Sequence, residues 1–248
     1  MASLSSRPVV LVTGAARRIG AGIARTLHAA GYDLVLHHRA SSAEAATLAA
    51  ALTAARPDSV LTVQADLADG ARLPALVDAA LARFGRLDGL VNNASNFAPT
   101  PLGTITPADW EALTAVNARA PLLLSQAAAP ALAARQGAIV NLLDLYAEHP
   151  LAGHAVYCMA KGAQVTLTRA LALELAPHVR VNGVAPGAIL WPDGGKGEAA
   201  RAAILARTPL ARLGRVEDIA AAVLWLLRDA AFVTGEIVHV DGGRTLSA

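Results

Sequence analysis

Short apolar runs rich in β-branched residues alternate with longer alanine-rich segments along this 248-residue chain. Near-continuous apolar strands between helices are typical of a parallel sheet that is covered on both faces. The pattern therefore predicts a doubly wound α/β fold. Its seven candidate strands lie at residues 9–13, 34–37, 60–64, 89–92, 138–142, 179–184 and 237–240.

Composition limits the domain organisation and the class of partner. With 54% hydrophobic and 16% charged residues, the chain can bury one large core without subdivision. The net charge is only +2 and the basic residues are scattered, which is not the footprint of a nucleic-acid-binding surface. Residues 1–8 contain no long apolar segment, and the apolar run at 219–227 is far too short to span a bilayer. We expect one cytoplasmic domain over residues 1–248, with no nucleic-acid or membrane partner.

Two loops with several prolines and glycines follow predicted strands. One covers residues 96–106, and the other begins after the sixth strand. Ligands of open α/β sheets bind beyond the carboxyl ends of the strands, where such loops converge. We therefore interpret residues 187–201 as a substrate lid. Trp191 lies in this lid and can either close over a bound ring or pack against a neighbouring subunit.

The first predicted strand runs into a turn, Thr13-Gly14-Ala15-Ala16-Arg17-Arg18-Ile19-Gly20, that precedes a predicted helix. Glycines let such a turn approach a phosphate closely, and the helix N-terminus presents free amides to it. Arg18 stands where many such turns have glycine, and its guanidinium can form charge-assisted hydrogen bonds with an anion. This context predicts a dinucleotide site.

The second predicted strand ends at His37, His38 and Arg39, without an acidic residue. A carboxylate at this place would bind the adenosine ribose of NAD, so its absence beside a guanidinium favours the 2′-phosphate of NADP. The alternative is that these are merely exposed basic residues at a strand end. Asp66, after the third strand, either contacts the adenine ring or caps the following segment.

Tyr157 and Lys161 are the strongest candidates for chemistry. They are four residues apart in a helix predicted over about 155–176, so both side chains project from one face. A free tyrosine has a pKa of about 10, and a fixed cation nearby lowers that pKa by roughly 1 to 3. The pair can then perform general acid–base chemistry. The alternative is a packed tyrosine beside a solvated lysine.

These motifs, together with Asn92-Asn93-Ala94, Asn117 and Pro186-Gly187, resemble the short-chain dehydrogenases/reductases over nearly the whole chain. The resemblance implies a Rossmann fold, hydride transfer and a homotetramer. It also implies that NADPH contacts the following residues: Gly14, Arg18, Ile19, Gly20, His37, His38, Arg39, Asp66, Leu67, Asn93, Ala94, Lys161, Pro186 and Gly187.

A narrower resemblance is to pteridine reductases. The chain is similar to them in its arginine-bearing first turn, in residues 92–97, and in Asp144 followed by Tyr157-Cys158-Met159-Ala160-Lys161. Most members of the wider family have serine where this chain has Asp144.

The chemistry of Asp144 can be argued from the residue itself. An ionised aspartate would repel the negative charge that develops on a ketone oxygen during hydride addition. If burial raises its pKa, Asp144 can instead hold a proton and, with Tyr157, pass it to a ring nitrogen as hydride reaches the adjacent carbon. Asp144 therefore favours reduction of a C=N bond. The alternative is that it only caps the loop after its strand.

The resemblance implies further roles around this centre. Phe97 would stack on one face of a pterin, although it can equally be a loop residue packed into the core. Arg18 and Ser95 would contact the polar edge of the substrate or the cofactor phosphates. Lys161 would bind the nicotinamide ribose, and Asn117 would hold a water in the proton path.

His154 stands three residues before Tyr157, where the resembled enzymes tend to have an aromatic residue. We therefore expect His154 in the substrate pocket and a changed wall there. The remaining histidines show no metal-ligand spacing, so no metal is expected.

The sequence predicts an NADPH-dependent reductase that takes dihydropterin to tetrahydropterin and also reduces oxidised pterin or dihydrofolate. The alternative within the family is a carbonyl or 3-oxoacyl reductase in which Asp144 is structural. A third reading is a non-catalytic NADP sensor, against which the presence of Tyr157, Lys161 and Asn117 counts.

Overall fold

The computed structural model describes residues 6–191 and 197–247. Seven parallel strands form one sheet in the order β3-β2-β1-β4-β5-β6-β7. The strands are β1 Val9–Val12, β2 Asp33–His38, β3 Val60–Gln64, β4 Gly89–Asn92, β5 Ala138–Leu142, β6 Arg180–Pro186 and β7 Ile237–Val240.

Helices connect the strands and cover both faces of the sheet. They are α1 Arg18–Ala29, α2 Ser42–Ala55, α3 Leu73–Phe84, α4 Pro107–Thr114, α5 Ala120–Ala133, α6 Ala155–Glu174, α7 Glu198–Ala206 and α8 Val216–Arg228. A π-helical turn, Ala115–Arg119, joins α4 to α5, and short 3-10 turns occupy residues 70–72, 145–147 and 244–247. No helix in the described part of the chain combines the length and the apolar character needed to cross a membrane.

The core lies in two layers, one on each face of the sheet. Successive side chains of a strand point to opposite faces. Accordingly Val9 and Leu11 of β1 pack with α3 and α5, while Val10 and Val12 pack with α1 and α8. All four β1 residues are fully buried. The predicted doubly wound α/β fold is confirmed.

The predicted strand bounds at 60–64, 89–92, 138–142 and 237–240 agree with the structure. The sixth strand is shifted and reaches Pro186, because its last residues pair with β7 as far as Val240. The predicted helix at 155–176 ends two residues early, at Glu174. Pro177 follows closely, and a proline ring does not continue a helix.

The predicted lid at 187–201 divides into two parts. Residues 192–196 lie outside the described residues, and the last four residues of the predicted loop already belong to α7. Strand order reverses between β1 and β4, which is where open α/β sheets bind ligands. The loops after β1, β4, β5 and β6 therefore converge on one cleft.

Candidate active site

The backbone of the turn after β1 has the conformation and the small residues that let other groups approach it closely. Gly14 has a left-handed φ of +61°, and a Cβ on Gly20 would lie 2.1 Å from the Gly14 carbonyl oxygen. Asn93 Nδ2 donates to the carbonyl oxygens of Thr13 at 2.8 Å and Gly14 at 3.1 Å. No side chain caps the N-terminus of α1. The first amides of this helix can therefore receive an anion.

His37 supports this turn from beneath. Its Nδ1 accepts from the Gly14 amide at 3.1 Å, so its Nε2 carries the proton and donates to the Ala65 carbonyl oxygen at 3.1 Å. Burial lowers the pKa of His37 to about 4. The ring is therefore neutral at pH 7. The alternative that the residues at the end of β2 are merely exposed basic groups is wrong for His37 and His38, which are only 2% and 8% exposed, whereas Arg39 is exposed.

A cavity of about 390 Å³ lies over the turn. Asp66 also caps its own loop, because a carboxylate oxygen accepts from the Ala68 amide at 2.9 Å. The Nδ1 atom of His38 is buried and has no hydrogen-bond partner among the described residues. Eleven of the predicted cofactor residues line the cavity: Gly14, Arg18, Ile19, Gly20, His37, His38, Arg39, Asp66, Leu67, Asn93 and Ala94.

The set of donors fits a phosphorylated dinucleotide. The described lining offers the α1 amides, Arg18, His38 and Arg39, with Asp66 as its one carboxylate. Ser41 joins them at the same end and is not among the predicted site residues. A guanidinium, an imidazole and a hydroxyl at this end are suited to a 2′-phosphate.

A second cavity, of about 330 Å³, continues from the first and shares Arg18, Ile19, Asn93 and Ser95 with it. It contains most of the remaining predicted site residues: Phe97, Asp144, Tyr157, Lys161, Pro186, Gly187 and Trp191. The two cavities form one cleft along the carboxyl edge of the sheet.

Asp144 and Tyr157 form a pair in this second cavity. The Tyr157 hydroxyl donates to Asp144 Oδ2 at 2.8 Å, while Asp144 Oδ1 accepts from the Tyr146 amide at 2.9 Å. Asp144 thus caps its loop with one carboxylate oxygen and binds the Tyr157 hydroxyl in the cleft with the other. Burial raises the pKa of Asp144 above its usual range. Both predicted roles of this carboxyl are compatible in one geometry.

The expected effect of Lys161 on Tyr157 is wrong for this structure. Burial raises the pKa of Tyr157, and the neighbouring Asp144 carboxylate raises it further. The Lys161 ammonium lies beneath the cleft, where Nζ donates to the Leu142 carbonyl oxygen at 2.7 Å and to Gln164 Oε1 at 3.2 Å. Burial also lowers the pKa of Lys161 to about 8. Lys161 is only 2% exposed, so it is not a solvated surface lysine.

Asn117 lies in the π-helical turn and is fully buried. Its Oδ1 accepts from Ser95 Oγ at 2.7 Å and from the Asn96 amide at 3.2 Å, and its Nδ2 donates to the Asn96 carbonyl oxygen at 2.8 Å. Single π-turns inside helices occur frequently at functional sites. Here the turn directs Asn117 at the loop that carries the cleft residues after β4.

Phe97 is 55% exposed and lines the cleft, so it is not a core residue. Its ring meets the Tyr157 ring edge-on, with centroids 4.8 Å apart. His154 stacks on Phe97 with centroids 4.6 Å apart, but it does not line the described part of the cavity. His154 thus supports Phe97, and its contact with substrate stays a prediction.

Trp191 lies at the mouth of the cleft. Its carbonyl oxygen accepts from Arg18 Nη2 at 3.1 Å, and the Arg201 guanidinium lies 5.4 Å from its ring centroid. Trp191 lines the second cavity, and both of its expected roles stay predictions.

Two side chains that line the second cavity, Tyr146 and Arg244, are not among the predicted site residues. Nor are two buried side chains that support the cleft, Thr13 and Gln164. Thr13 Oγ1 accepts from the Asn93 and Ala94 amides and so joins the first turn to the end of β4. Arg244 follows the predicted seventh strand, so the rule that sites lie at carboxyl ends of strands could have found it. Gln164 carries no comparable sequence signal.

Among the described residues, no group of three or more histidine, cysteine, aspartate or glutamate side chains is placed to hold a metal ion.

Comparison with known proteins gives matches over nearly the whole chain. A family model described as enoyl-(acyl carrier protein) reductase matches residues 14–245. Pteridine reductase 1 from Leishmania tarentolae is 40% identical over an alignment of 288 positions, gaps included, which covers 100% of this chain and 99% of the relative. L-xylulose reductase from Bos taurus is 38% identical over 244 residues, which cover 94% of each protein. The relatives thus include one enzyme named for pteridines and one named for L-xylulose.

Proposed function

Since the chain belongs to the short-chain dehydrogenase/reductase family of oxidoreductases, we propose that it is an NADPH-dependent reductase of pterins. The proposed reaction takes dihydropterin to tetrahydropterin, and oxidised pterin and dihydrofolate are further candidate substrates. The identity to a pteridine reductase over the whole chain supports this choice.

The observation that carries the proposal is the hydrogen bond between Tyr157 and Asp144. Burial raises the pKa of Asp144 and so favours its protonated form. Tyr157 is bonded to it at 2.8 Å, so a proton that Tyr157 gives to a substrate nitrogen can be replaced from Asp144. If Asp144 were ionised instead, it would oppose the negative charge that develops on a ketone oxygen, so the carboxyl favours a ring nitrogen over a ketone.

Phe97 supplies a flat surface beside this pair. Its ring is held from behind by His154 and is exposed to the cleft. A fused heteroaromatic ring can stack on that surface while its ring nitrogens face Tyr157. When bound, NADPH supplies the hydride. Pro186, Gly187 and Lys161, which line the same cavity, are the residues that would hold its nicotinamide end.

Relatives in this family use NAD(P)H, and we propose NADPH for this chain. The described residues at the end of β2 offer His38 and Arg39, and no carboxylate stands there to bind an unmodified ribose. By the same family relationship we propose a cytoplasmic homotetramer with residues 187–201 as its substrate lid.

Replacing Asp144 with serine tests the proposal. We expect Asp144→Ser to lower kcat with 7,8-dihydrobiopterin by about 100-fold or more, because general acid catalysis is lost. The loss of NADPH absorbance would be followed beside NADH and beside a 3-oxoacyl thioester. Asp78→Ser, which removes an exposed carboxylate from α3 and touches neither cavity, is the matched control and should leave kcat close to that of the wild type.

A carbonyl reductase is the second candidate, favoured by the 38% identity to L-xylulose reductase. In that case the wild type turns over the thioester or a sugar ketone and ignores the pterin, and Asp144→Ser retains ketone turnover. Binding of NADPH without its oxidation by any of these substrates would instead indicate a non-catalytic sensor.

A further inference from the structure

Arg244 is held rigidly at the carboxyl edge of the sheet. It follows β7, where the buried Asp241 accepts from the Gly243 amide at 2.9 Å and from the Thr245 amide at 2.8 Å. These two bonds fix the turn from which Arg244 projects. Its half-buried side chain lines the same cavity as Asp144 and Tyr157.

The guanidinium of Arg244 is positioned by a neutral group. Its Nη2 donates to the Tyr146 hydroxyl at 3.3 Å, and its Cζ lies 5.7 Å from the Tyr146 ring centroid. Within residues 6–191 and 197–247, no carboxylate forms an ion pair with Arg244. A guanidinium has five N–H donors in a planar fork, so most of its hydrogen-bonding capacity is left for a ligand.

The charges of the cavity are unbalanced. Arg18, Lys161 and Arg244 line its described part together with a single carboxyl group, Asp144. Arg18 also lines the first cavity, and the Lys161 ammonium is bonded to the Leu142 carbonyl oxygen and to Gln164, whereas Arg244 lines only the second cavity. The positive charge of Arg244 therefore lies outside the cavity assigned to the cofactor phosphates and is available to a substrate in the second cavity.

We infer that Arg244 recognises an oxyanion on the side chain of the substrate, so that the enzyme prefers acidic pterins to neutral ones. This inference rests on the proposed function and adds a substrate class to it. A planar guanidinium binds a carboxylate or a phosphate through paired charge-assisted hydrogen bonds. Two sources of the oxyanion follow, the carboxylates of a folate tail and a phosphorylated pterin side chain.

The test compares three dihydropterins under NADPH: 7,8-dihydrofolate, 7,8-dihydroneopterin phosphate and the neutral 7,8-dihydrobiopterin. We expect Arg244→Gln to raise KM about 10-fold or more for the preferred acidic substrate and less than about 2-fold for dihydrobiopterin, since one charge-assisted contact is lost. The acidic substrate with the larger change identifies the oxyanion. Arg244→Lys keeps the charge and should restore part of the affinity.

Two controls separate recognition from structural support. Arg228→Gln removes an equivalent charge from an exposed residue on α8 that pairs with Asp229, and it should change none of the three KM values. Tyr146→Phe removes the hydroxyl that positions Arg244 and should raise KM for the acidic substrate only. Added salt should weaken binding of that substrate in the wild type and have little effect in Arg244→Gln.

Equal losses for acidic and neutral substrates in Arg244→Gln would overturn the inference and make Arg244 structural. Failure of the wild type to turn over any pterin would instead overturn the proposed function. In that case Arg244 is judged by fluorescence titration of the NADP⁺-loaded wild type and variant with folate and biopterin. Equal affinities of the wild type and Arg244→Gln for folate would then refute the inferred role of Arg244.

Discussion

At the scale of single residues, burial determines which titratable groups carry charge. His37, Asp144 and Lys161 all lie at the cleft. Burial shifts the pKa of each group in the direction that favours its neutral form. Tyr157 is likewise held as a phenol. Asp144 and Tyr157 can therefore hold protons and deliver them to a substrate. The turn after β1 is supported from beneath by the neutral imidazole of His37.

The stability of the protein should fall in mild acid because of His37. The unfolded chain takes up a proton near the ordinary pKa of 6.5, whereas folded His37 does so only near pH 4. Stability from this group is complete above pH 6.5 and is lost as the pH falls toward 4, by about 2 kcal/mol at pH 5. Urea unfolding of the wild type and of His37→Asn at pH 7.5 and pH 5 measures this loss.

The asparagine keeps an acceptor for the Gly14 amide but does not titrate, so its free energy of unfolding should depend less on pH. His178→Asn, at an exposed residue, is the control and should retain the wild-type dependence. An unchanged pH dependence in His37→Asn would show that His37 does not contribute it.

At the scale of elements, two local irregularities build the cleft. The glycine turn after β1 allows α1 to begin close to the end of β4, and the π-helical turn between α4 and α5 lets Asn117 reach the loop that follows β4. Each irregularity joins a loop to a rigid element, so Ser95 and Phe97 stand on a supported backbone.

We expect Asn117→Ala to loosen this loop. It removes the buried partner of Ser95 Oγ, of the Asn96 amide and of the Asn96 carbonyl oxygen, which should lower the free energy of unfolding by about 1–3 kcal/mol. Urea unfolding gives the loss, and hydrogen exchange should show faster exchange of the Asn96 amide. Asn96→Ala, which loses one exposed bond to the Ala112 carbonyl oxygen, should cost far less. Equal stabilities of the two variants would argue against the role of Asn117.

At the scale of the whole molecule, seven parallel strands bring distant segments to one edge. The first turn, the loop after β4, Asp144 after β5, and Arg244 after β7 are far apart in the chain but line one cleft. A ligand bound along that edge contacts residues on both sides of the strand-order reversal. It should therefore stabilise the fold as a unit.

Thermal unfolding should show this stabilisation and the choice of cofactor. NADPH at 100 times its Kd should add about 2.7 kcal/mol and raise Tm by roughly 5–10 °C, while NADH at the same concentration should raise it less. Arg39→Ala should reduce the shift with NADPH and leave the shift with NADH unchanged. A larger shift with NADH than with NADPH in the wild type would contradict the proposed 2′-phosphate site.

The sequence by itself determined the fold and many of the residues that line the cleft. Strand periodicity and turn chemistry are local properties, and carboxyl ends of parallel strands must meet at one edge. The predicted sheet is therefore confirmed, and eleven of the predicted cofactor residues line one cavity. Four of the seven predicted strands have the observed bounds.

The tertiary structure alone decided how burial shifts the pKa values of the cleft residues and which side chains contact one another. The lysine that shares a helix face with Tyr157 is bonded to Gln164 instead, and Asp144, from another loop, is the partner of the tyrosine. His154 supports Phe97 from behind, and Arg244 enters the cavity from the last strand. These outcomes depend on burial and on side-chain directions across distant segments, which the spacing of residues along a chain does not specify.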